Sequence, residues 1–283
     1  MLLRDLVQHA AVKFKAAGID SASVDAELIA AHVLGVSRGE VQAQMLGGAE
    51  VVESQAEKLT KLFARRNSRE PLQHITGLAP FRNLELEVGL GVFIPRPETE
   101  FVAGLAIDAL RKSLQPNPIA VDLGTGSGAI ALAMATEVPN AKVHAVEKSA
   151  DAFAFTKKNF AKYAVAAQLI QGDLRDAFAE LDGTVSVVAS NPPYIPLAAI
   201  PRDVEVQKFD PALALYGGED GMDVIHLVSA TAKRLLLPGG LLVIEHADNQ
   251  GAQVSQLLLA DGWSQVSSRQ DLTGRDRAVT AIK

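Results

Sequence analysis

Two short stretches hold the residue types that could do chemistry. The first is "SNPPYIP" (residues 190–196), which follows the apolar run "VSVVA". Each proline lacks a backbone N–H and has φ fixed near −65°, so a strand that reaches Asn191-Pro192-Pro193-Tyr194 must stop on a stiff corner. Asn191 brings a side-chain carbonyl and Pro192 a backbone carbonyl, while Pro193 holds the residue before it extended. Together they can accept the two N–H protons of a planar amide or amino group, and the flat Tyr194 ring can cover its face. A plain loop breaker would use the same prolines for turning alone.

The second stretch is "VDLGTGSGAIALA" (121–133), a strand, a turn and the opening of a helix. Gly124, Gly126 and Gly128, with Thr125 and Ser127 between them, allow a tight turn and close backbone approach beside a helix amino terminus. Gly124-x-Gly126-x-x-Ala129 also satisfies the dinucleotide-binding pattern, so the loop by itself is ambiguous. Asp122 argues against that pattern: a carboxylate two residues before the first glycine repels a pyrophosphate but not a cationic amino-acid moiety. With an acidic residue ending the second strand, "DxGxGxG" resembles the fingerprint of S-adenosylmethionine-dependent methyltransferases. Glu147 is that residue, and its carboxylate can accept hydrogen bonds from both ribose hydroxyls. Asp173 and Leu174 fall just beyond strand three, where an adenine edge would rest; loop solvation and ordinary packing account for them equally well.

With a methyl sulfonium as electrophile, the corner acquires a task. An amide nitrogen is a poor nucleophile because its lone pair is delocalised. Fixed acceptors on its protons stabilise the positive charge that develops during attack. The remaining requirement is that nitrogen, methyl carbon and sulfur lie in line.

These groups meet only if the elements bearing them share an edge. Strands are expected at 119–123, 143–147, 168–172, 185–190 and 241–246, separated by helices near 129–137, 149–163, 222–236 and 249–261. That alternation implies an α/β fold, a Rossmann-like parallel sheet whose ligands sit at the strand carboxyl ends. Two further strands in "WSQVSSRQDLTGRDRAVTAIK" complete a seven-stranded sheet with an antiparallel last pair. Residues 1–70 read as helices only, with stripes such as Val24, Leu28, Ala31 and Val33/Leu34, and form a small bundle. Residues 71–95 alternate in short runs and suggest a hairpin connector, leaving 96–283 as the catalytic domain.

Composition narrows the classes. The 283 residues carry net charge −6, and nine basic and nine acidic side chains balance within residues 1–75. The acidic excess therefore lies in the catalytic part, which counts against a direct nucleic-acid partner. No cysteine is present, so disulfides and thiolate metal sites are excluded, which suits a cytoplasmic protein without requiring it. The six histidines show no ligand spacing, so no metal is expected. No apolar run reaches membrane-spanning length, and nothing demands more than a monomer.

The segments "DAELIAAHVLG", "RRNSREPLQHITG", "FIPRPETE", "DLGTGSGAIALA", "SNPPYIP" and "PGGLLVIEH" together resemble the family of peptide chain release factor glutamine methyltransferases. "NPPY" occurs in several amino-group methyltransferases; "IPRPETE" beside a helical N-terminal segment is more specific. The resemblance implies S-adenosylmethionine on Gly124–Gly128, Glu147, Leu174 and Asn191. It implies further that Asn191, Pro192, Pro193 and Tyr194 hold the side-chain amide of the glutamine in a Gly-Gly-Gln loop. The release factor is then the partner, docked with help from the helical domain. Leu174, often aromatic in the family, and Phe93, often leucine, depart from the pattern; the first weakens an expectation of adenine stacking, and the second alters packing beside the pocket. A nucleic-acid amino methyltransferase would share "NPPY" but needs a basic groove or target-recognition domain. A non-enzymatic S-adenosylmethionine-binding factor would leave the corner without a task, and an NAD-dependent oxidoreductase would lack placed proton-relay residues.

Three features stay open. Arg96, Glu98 and Glu100 could position substrate or bridge domains. Lys58, Lys61, Arg65 and Arg69, with Arg66 adjacent, form a basic helical face that is either solvated or a docking patch for an acidic partner. His246, ending strand five, reads as a structural histidine rather than a base.

Overall fold

The computed structural model describes residues 1–163 and 167–283. The chain divides into two compact units, Met1–Leu78 with Pro201–Phe209, and Ala79–Ile200 with Asp210–Lys283.

The first unit contains helices α1 (Leu3–Ala16), α2 (Ala22–Leu34), α3 (Arg38–Leu46), α4 (Glu53–Asn67) and α5 (Leu72–Thr76). Apolar residues three or four apart bury one stripe of each long helix, so Val7, Phe14, Ile29, Leu59 and Phe63 meet in one core. Phe14 and Phe63 pack edge to face at 5.9 Å. Ser37 and Glu40 form a reciprocal cap at the start of α3. α5 lies within the range read from the sequence as a connector; the hairpin proper begins only at Leu78.

The second unit opens with the hairpin of β1 (Leu78–Phe81) and β2 (Leu84–Glu87) and the helix α6 (Pro97–Lys112). Pro97 stands at the first helical position, where its missing N–H costs nothing, and Glu98 and Glu100 occupy the first turn, favourable for the helix dipole. The "IPRPETE" motif is thus first of all a helix start. Then follow β3 (Ile119–Leu123), α7 (Ala129–Glu137), β4 (Lys142–Glu147), α8 (Ala150–Tyr163), β5 (Ala167–Gln171) and β6 (Val185–Ser190). After the corner come two short helices absent from the sequence reading, α9 (Val204–Phe209) and α10 (Ala212–Leu215). The chain closes with α11 (Asp223–Leu235), β7 (Leu236–Glu245), α12 (Gly251–Ala260), β8 (Ser264–Gln270) and β9 (Asp276–Ile282).

The seven strands lie in the order β5-β4-β3-β6-β7-β9-β8, with β5 to β7 parallel and the last pair antiparallel. This is the expected Rossmann-like architecture. Side chains alternate across β3: Ala120 joins the apolar layer under α6 and α7, while Val121 and Leu123 join the layer under α11 and α12. Because β4 and β6 flank β3, connections leave it in opposite directions, and a crevice opens at the strand carboxyl ends. Among the described residues no helix is long and apolar enough to cross a membrane.

Candidate functional site

One cavity occupies that crevice. Its wall includes Asp122 from β3, Gly124, Thr125, Gly126 and Ser127 from the β3–α7 loop, and Glu147 at the end of β4. Asp173 and Leu174 after β5, and Asn191 and Pro193 after β6, line it as well. Strand register explains the convergence: Asp122 stands opposite Ala145 on β4 and Ala189 on β6, so the loops that follow emerge at one level.

Asp122 is buried, and its Oδ2 accepts from the Thr125 hydroxyl (2.6 Å) and the Ala131 N–H (3.1 Å). It therefore ties the glycine loop to both the strand and the new helix. Its Oδ1 is buried without a hydrogen-bond partner. Burial, with the nearby Glu147 charge, pushes the Asp122 carboxyl up to about 7. Glu147 Oε2 accepts from the Gly126 N–H (2.8 Å) and Oε1 from the Ser149 N–H (2.7 Å). Gly126 reaches that position at φ +60°, a backbone state open to glycine at little cost. Each Glu147 oxygen keeps a second acceptor site, and burial raises this carboxyl as well. Two acidic groups disfavoured by their surroundings make the crevice a place where a cationic ligand is welcome.

Asp173 borders the cavity, but its carboxylate is held by Arg175 (3.0 Å) and Lys148 (3.1 Å), which keep its pKa well below the ordinary range. Leu174 packs into the layer under α11. Gly128, expected among the ligand contacts, does not line the cavity: a Cβ there would meet Phe160 at 3.0 Å and Thr156 at 3.1 Å, so its smallness serves packing on α8.

The corner is braced from several directions. The Ser190 hydroxyl donates to the Leu123 carbonyl (2.6 Å), which locks the ends of β6 and β3 together. Ile195 N–H donates to Leu215 O, Gly217 N–H to Ile195 O and Leu197 N–H to Gly218 O, each at 2.9 Å. Gly217 permits this approach, since a Cβ there would stand 2.4 Å from the Pro193 carbonyl oxygen. Asn191 donates from Nδ2 to the hydroxyl of buried Thr99 in the first turn of α6 (3.2 Å). The amide oxygen of Asn191 is thereby left for the cavity, as an acceptor.

Two members of the corner depart from the expectation. Pro192 is buried and does not reach the cavity wall, so any part it plays is through its backbone. Tyr194 does not line the cavity either, so its ring is no cover for a bound amide in this structure. It packs into the apolar layer of α11 and α12 instead, its carbonyl accepts from Gln250 Nε2 (3.0 Å), and burial beside Glu245 raises its hydroxyl pKa. The stiffness imposed by the two prolines turns the tyrosine behind the corner.

Several wall residues carried no chemical signal in the sequence. Thr99 is one, a threonine in a helix start whose partner lies 92 positions away. Pro211, Leu213 and Ala214, on and before α10, form an apolar part of the wall together with Phe93 and Pro95. Arg96 stacks on Phe93 at 4.9 Å and pairs with Asp210 at 2.5 Å, so both its partners lie in its own unit. Glu100 accepts from the Arg82 N–H in the hairpin turn (2.9 Å). His246 is buried outside the wall with Nδ1 at 2.7 Å from Ala247 O, and burial lowers its pKa, so it stays neutral.

The basic face of α4 proves largely consumed within its own unit. Arg66 is buried against Asp25 (2.7 Å) and Glu205 (3.1 Å), Arg69 also pairs with Glu205, and Arg65 pairs with Glu70. Lys58 and Lys61 alone of that set remain exposed without an ion pair among the described residues.

Comparison with known proteins agrees with this architecture. Residues 5–77 match the PrmC N-terminal domain, and residues 99–209 match the methyltransferase small domain. The chain is 49% identical to the release factor glutamine methyltransferase of Streptomyces coelicolor, over 100% of this chain and 98% of the relative. It is 38% identical to the 4-amino-L-phenylalanine/4-methylamino-L-phenylalanine methyltransferase of Streptomyces pristinaespiralis, over 99% of this chain and 95% of that relative. Among solved structures, a methyltransferase from Pyrococcus furiosus superposes with a TM-score of 0.51 at 21% identity, covering 71% of this chain and 90% of its own, a likeness of fold.

Proposed function

We propose, since the chain belongs to the release factor glutamine methyltransferase family, that it transfers a methyl group from S-adenosylmethionine to the side-chain amide nitrogen of the glutamine in the Gly-Gly-Gln loop of a peptide chain release factor. The observation that carries the reading is the Asn191–Thr99 hydrogen bond, which gives the corner an acceptor facing a cavity lined with buried carboxylates.

The cavity suits S-adenosylmethionine in chemistry. Asp122 Oδ1 lacks a partner, Glu147 has spare acceptor sites, and Phe93, Pro95 and Leu213 supply apolar surface. When bound, the cofactor supplies a methyl carbon made electrophilic by a positively charged sulfur. Glu147 takes the ribose hydroxyls, the Gly124–Gly126 turn lets the backbone come close, and Asp122 with Glu147 favours the positive charge. Leu174 offers adenine an aliphatic contact in place of a stacked ring. Asp173, held by two cations, serves chiefly to fix the loop after β5.

The substrate amide donates one N–H to Asn191 Oδ1; the expected second acceptor, the Pro192 carbonyl, lies off the cavity wall and takes the other N–H once the bound substrate opens a way to it. Neither acceptor is a strong base. They stabilise the charge that grows on nitrogen as the N–C bond forms and the methyl–sulfur bond breaks, and the surplus amide proton then passes to solvent. Pro193 and the Gly217 contact hold both acceptors still, which supports in-line attack. The helical unit, whose match to the PrmC N-terminal domain spans residues 5–77, docks the release factor.

The test is to incubate the protein with labelled S-adenosylmethionine and, in parallel, a release factor, a ribosomal protein, DNA, RNA and 4-amino-L-phenylalanine, then locate the methyl group by mass. Label on the Gly-Gly-Gln glutamine is expected. Label on 4-amino-L-phenylalanine alone would move the assignment to the small-amine branch represented by the pristinaespiralis relative, and label on nucleic acid alone would overturn the reading.

A further inference from the structure

Side chains alternate along residues 92–95. Val92 and Ile94 are buried in an apolar cluster with Ala152 of α8, while Phe93 and Pro95 line the cavity. The Arg96 guanidinium lies over the Phe93 ring at 4.9 Å, and its Nη2 donates to Asp210 Oδ2 at 2.5 Å. The Asp210 side chain is 1% exposed and that of Arg96 30%. Directly after Asp210 come Pro211, Leu213 and Ala214, which line the same cavity. One ion pair, between residues 114 positions apart, therefore joins two segments of its wall. Asp210 Oδ1 is buried without a hydrogen-bond partner, and no cation other than Arg96 pairs with this carboxylate among the described residues.

A planar guanidinium on a ring face holds that ring by stacking and cation–π attraction. It also sets a full positive charge against the wall of a cavity whose ligand, S-adenosylmethionine, carries a positive charge on sulfur. An unneutralised arginine one ring away repels that ligand, the more so where water is excluded. A carboxylate seated on the guanidinium removes the repulsion and leaves the plate on the ring. A hydroxyl or a carbonyl could accept from Arg96 equally well without burying a second charge. The carboxylate is needed only where the charge itself matters. Burial pushes the Asp210 carboxyl up, and the Arg96 charge draws it back toward the ionised form.

We propose that Arg96 and Asp210 are a positioning pair for the cofactor: Arg96 holds the Phe93 face of the cavity, and Asp210 cancels its charge so that a positively charged sulfur is accepted there. The inference rests on the reading of the cavity as a site for S-adenosylmethionine. It separates two ligands that otherwise share their groups, S-adenosylmethionine and its demethylated product S-adenosylhomocysteine, whose sulfur is a neutral thioether. Neutralising Arg96 favours the first and is indifferent to the second. The pair thus sets the balance between methyl donor and spent product at the wall.

The experiment measures, by calorimetry, the Kd of both ligands for the wild-type protein, Asp210→Asn, Arg96→Lys, Arg96→Gln and the Arg96→Gln/Asp210→Asn double variant, each first confirmed folded by circular dichroism. Asp210→Asn is expected to raise the Kd of S-adenosylmethionine about tenfold and that of S-adenosylhomocysteine by no more than about twofold, because only the first meets an uncancelled charge. Arg96→Lys keeps the charge balance but loses the plate, so both ligands weaken and the ratio of their Kd values stays within about twofold of wild type. The double variant carries neither charge and restores the same ratio, a non-additive result for two groups in contact. A pair that merely braced the fold would weaken both ligands alike, so equal losses in folded Asp210→Asn overturn the proposal, as does a double variant that keeps the altered ratio. If Asp210→Asn does not fold, Arg96→Gln decides: it leaves the acid without its cation and must shift the ratio at least about threefold toward S-adenosylmethionine, and an unchanged ratio overturns the proposal. Failure of the wild-type protein to bind either ligand counts instead against the function proposed above, so the two failures are distinguishable.

Discussion

The two units treat buried charge in opposite ways. In the helical unit Arg66 meets Asp25, Glu205 and the Glu70 carbonyl, and Asp25 meets Arg66 in return. At the sheet edge, Asp122 keeps one oxygen unpartnered and Glu245 keeps two. In the first network the carboxylates of Asp25 and Glu205 have their donors inside the fold, and among the described residues only Arg69 Nε of its arginine atoms is buried without a partner. The second is open: at the cavity, Asp122 Oδ1 has room for a donor that the fold itself does not supply. Buried charge alone does not mark a site; incomplete pairing beside a cavity does.

Breaking the closed network should cost folding and leave chemistry untouched. Arg66→Ala strands Asp25 in the bundle, and removal of one partner of a buried pair costs about 3–5 kcal/mol. Urea unfolding of the helical unit is the measurement, with cofactor affinity expected to remain at the wild-type value. A loss of cofactor binding with unaltered unfolding would erase the contrast.

Breaking the open network should do the reverse. Asn191→Ala removes the acceptor that faces the cavity, and turnover is expected to fall by at least about a hundredfold, as for a donor or acceptor directed at the transition state. Calorimetry should show S-adenosylmethionine still bound and thermal unfolding near the wild-type midpoint. A near-normal rate would take the corner out of the mechanism.

The smallest effect sharpens the comparison at its edge. Lys58 and Lys61 remain of the basic face once the arginines are paired internally. Lys58→Glu with Lys61→Glu should change stability by no more than about 0.5 kcal/mol, as exposed substitutions do. If the pair steers an acidic partner, the KM for release factor rises at low salt and recovers at high salt, with cofactor affinity constant. Unchanged kinetics at every ionic strength would make these lysines solvent-facing residues and nothing more.

How far the chain's own pattern carries can be read from particular segments. The strands at 119–123 and 185–190 and the helix at 129–137 fall where local hydrophobic periodicity puts them. Neither α9 nor α10 had such a signal, because helices of six and four residues contain too few turns to show a period. The basic face of α4 was visible as a pattern, yet spacing on a helix cannot say whether an arginine meets water or Asp25 from another helix. Tyr194 misled for a similar reason: its place in a reactive-looking motif does not reveal which way two prolines turn the residue that follows.

The residues that do chemistry were therefore open to reading from the linear chain wherever their task is local. A glycine turn, an acid at a strand end and a proline-stiffened corner each impose their geometry on their immediate neighbours. What needed the folded molecule was every relation between distant elements: Thr99 beneath Asn191, Gly217 against Pro193, and Glu205 drawn into the helical unit. Side-chain hydrogen bonds and close backbone approaches depend on distances of a few ångströms between segments whose separation in the chain has no bearing on them. Only packing brings those distances into being.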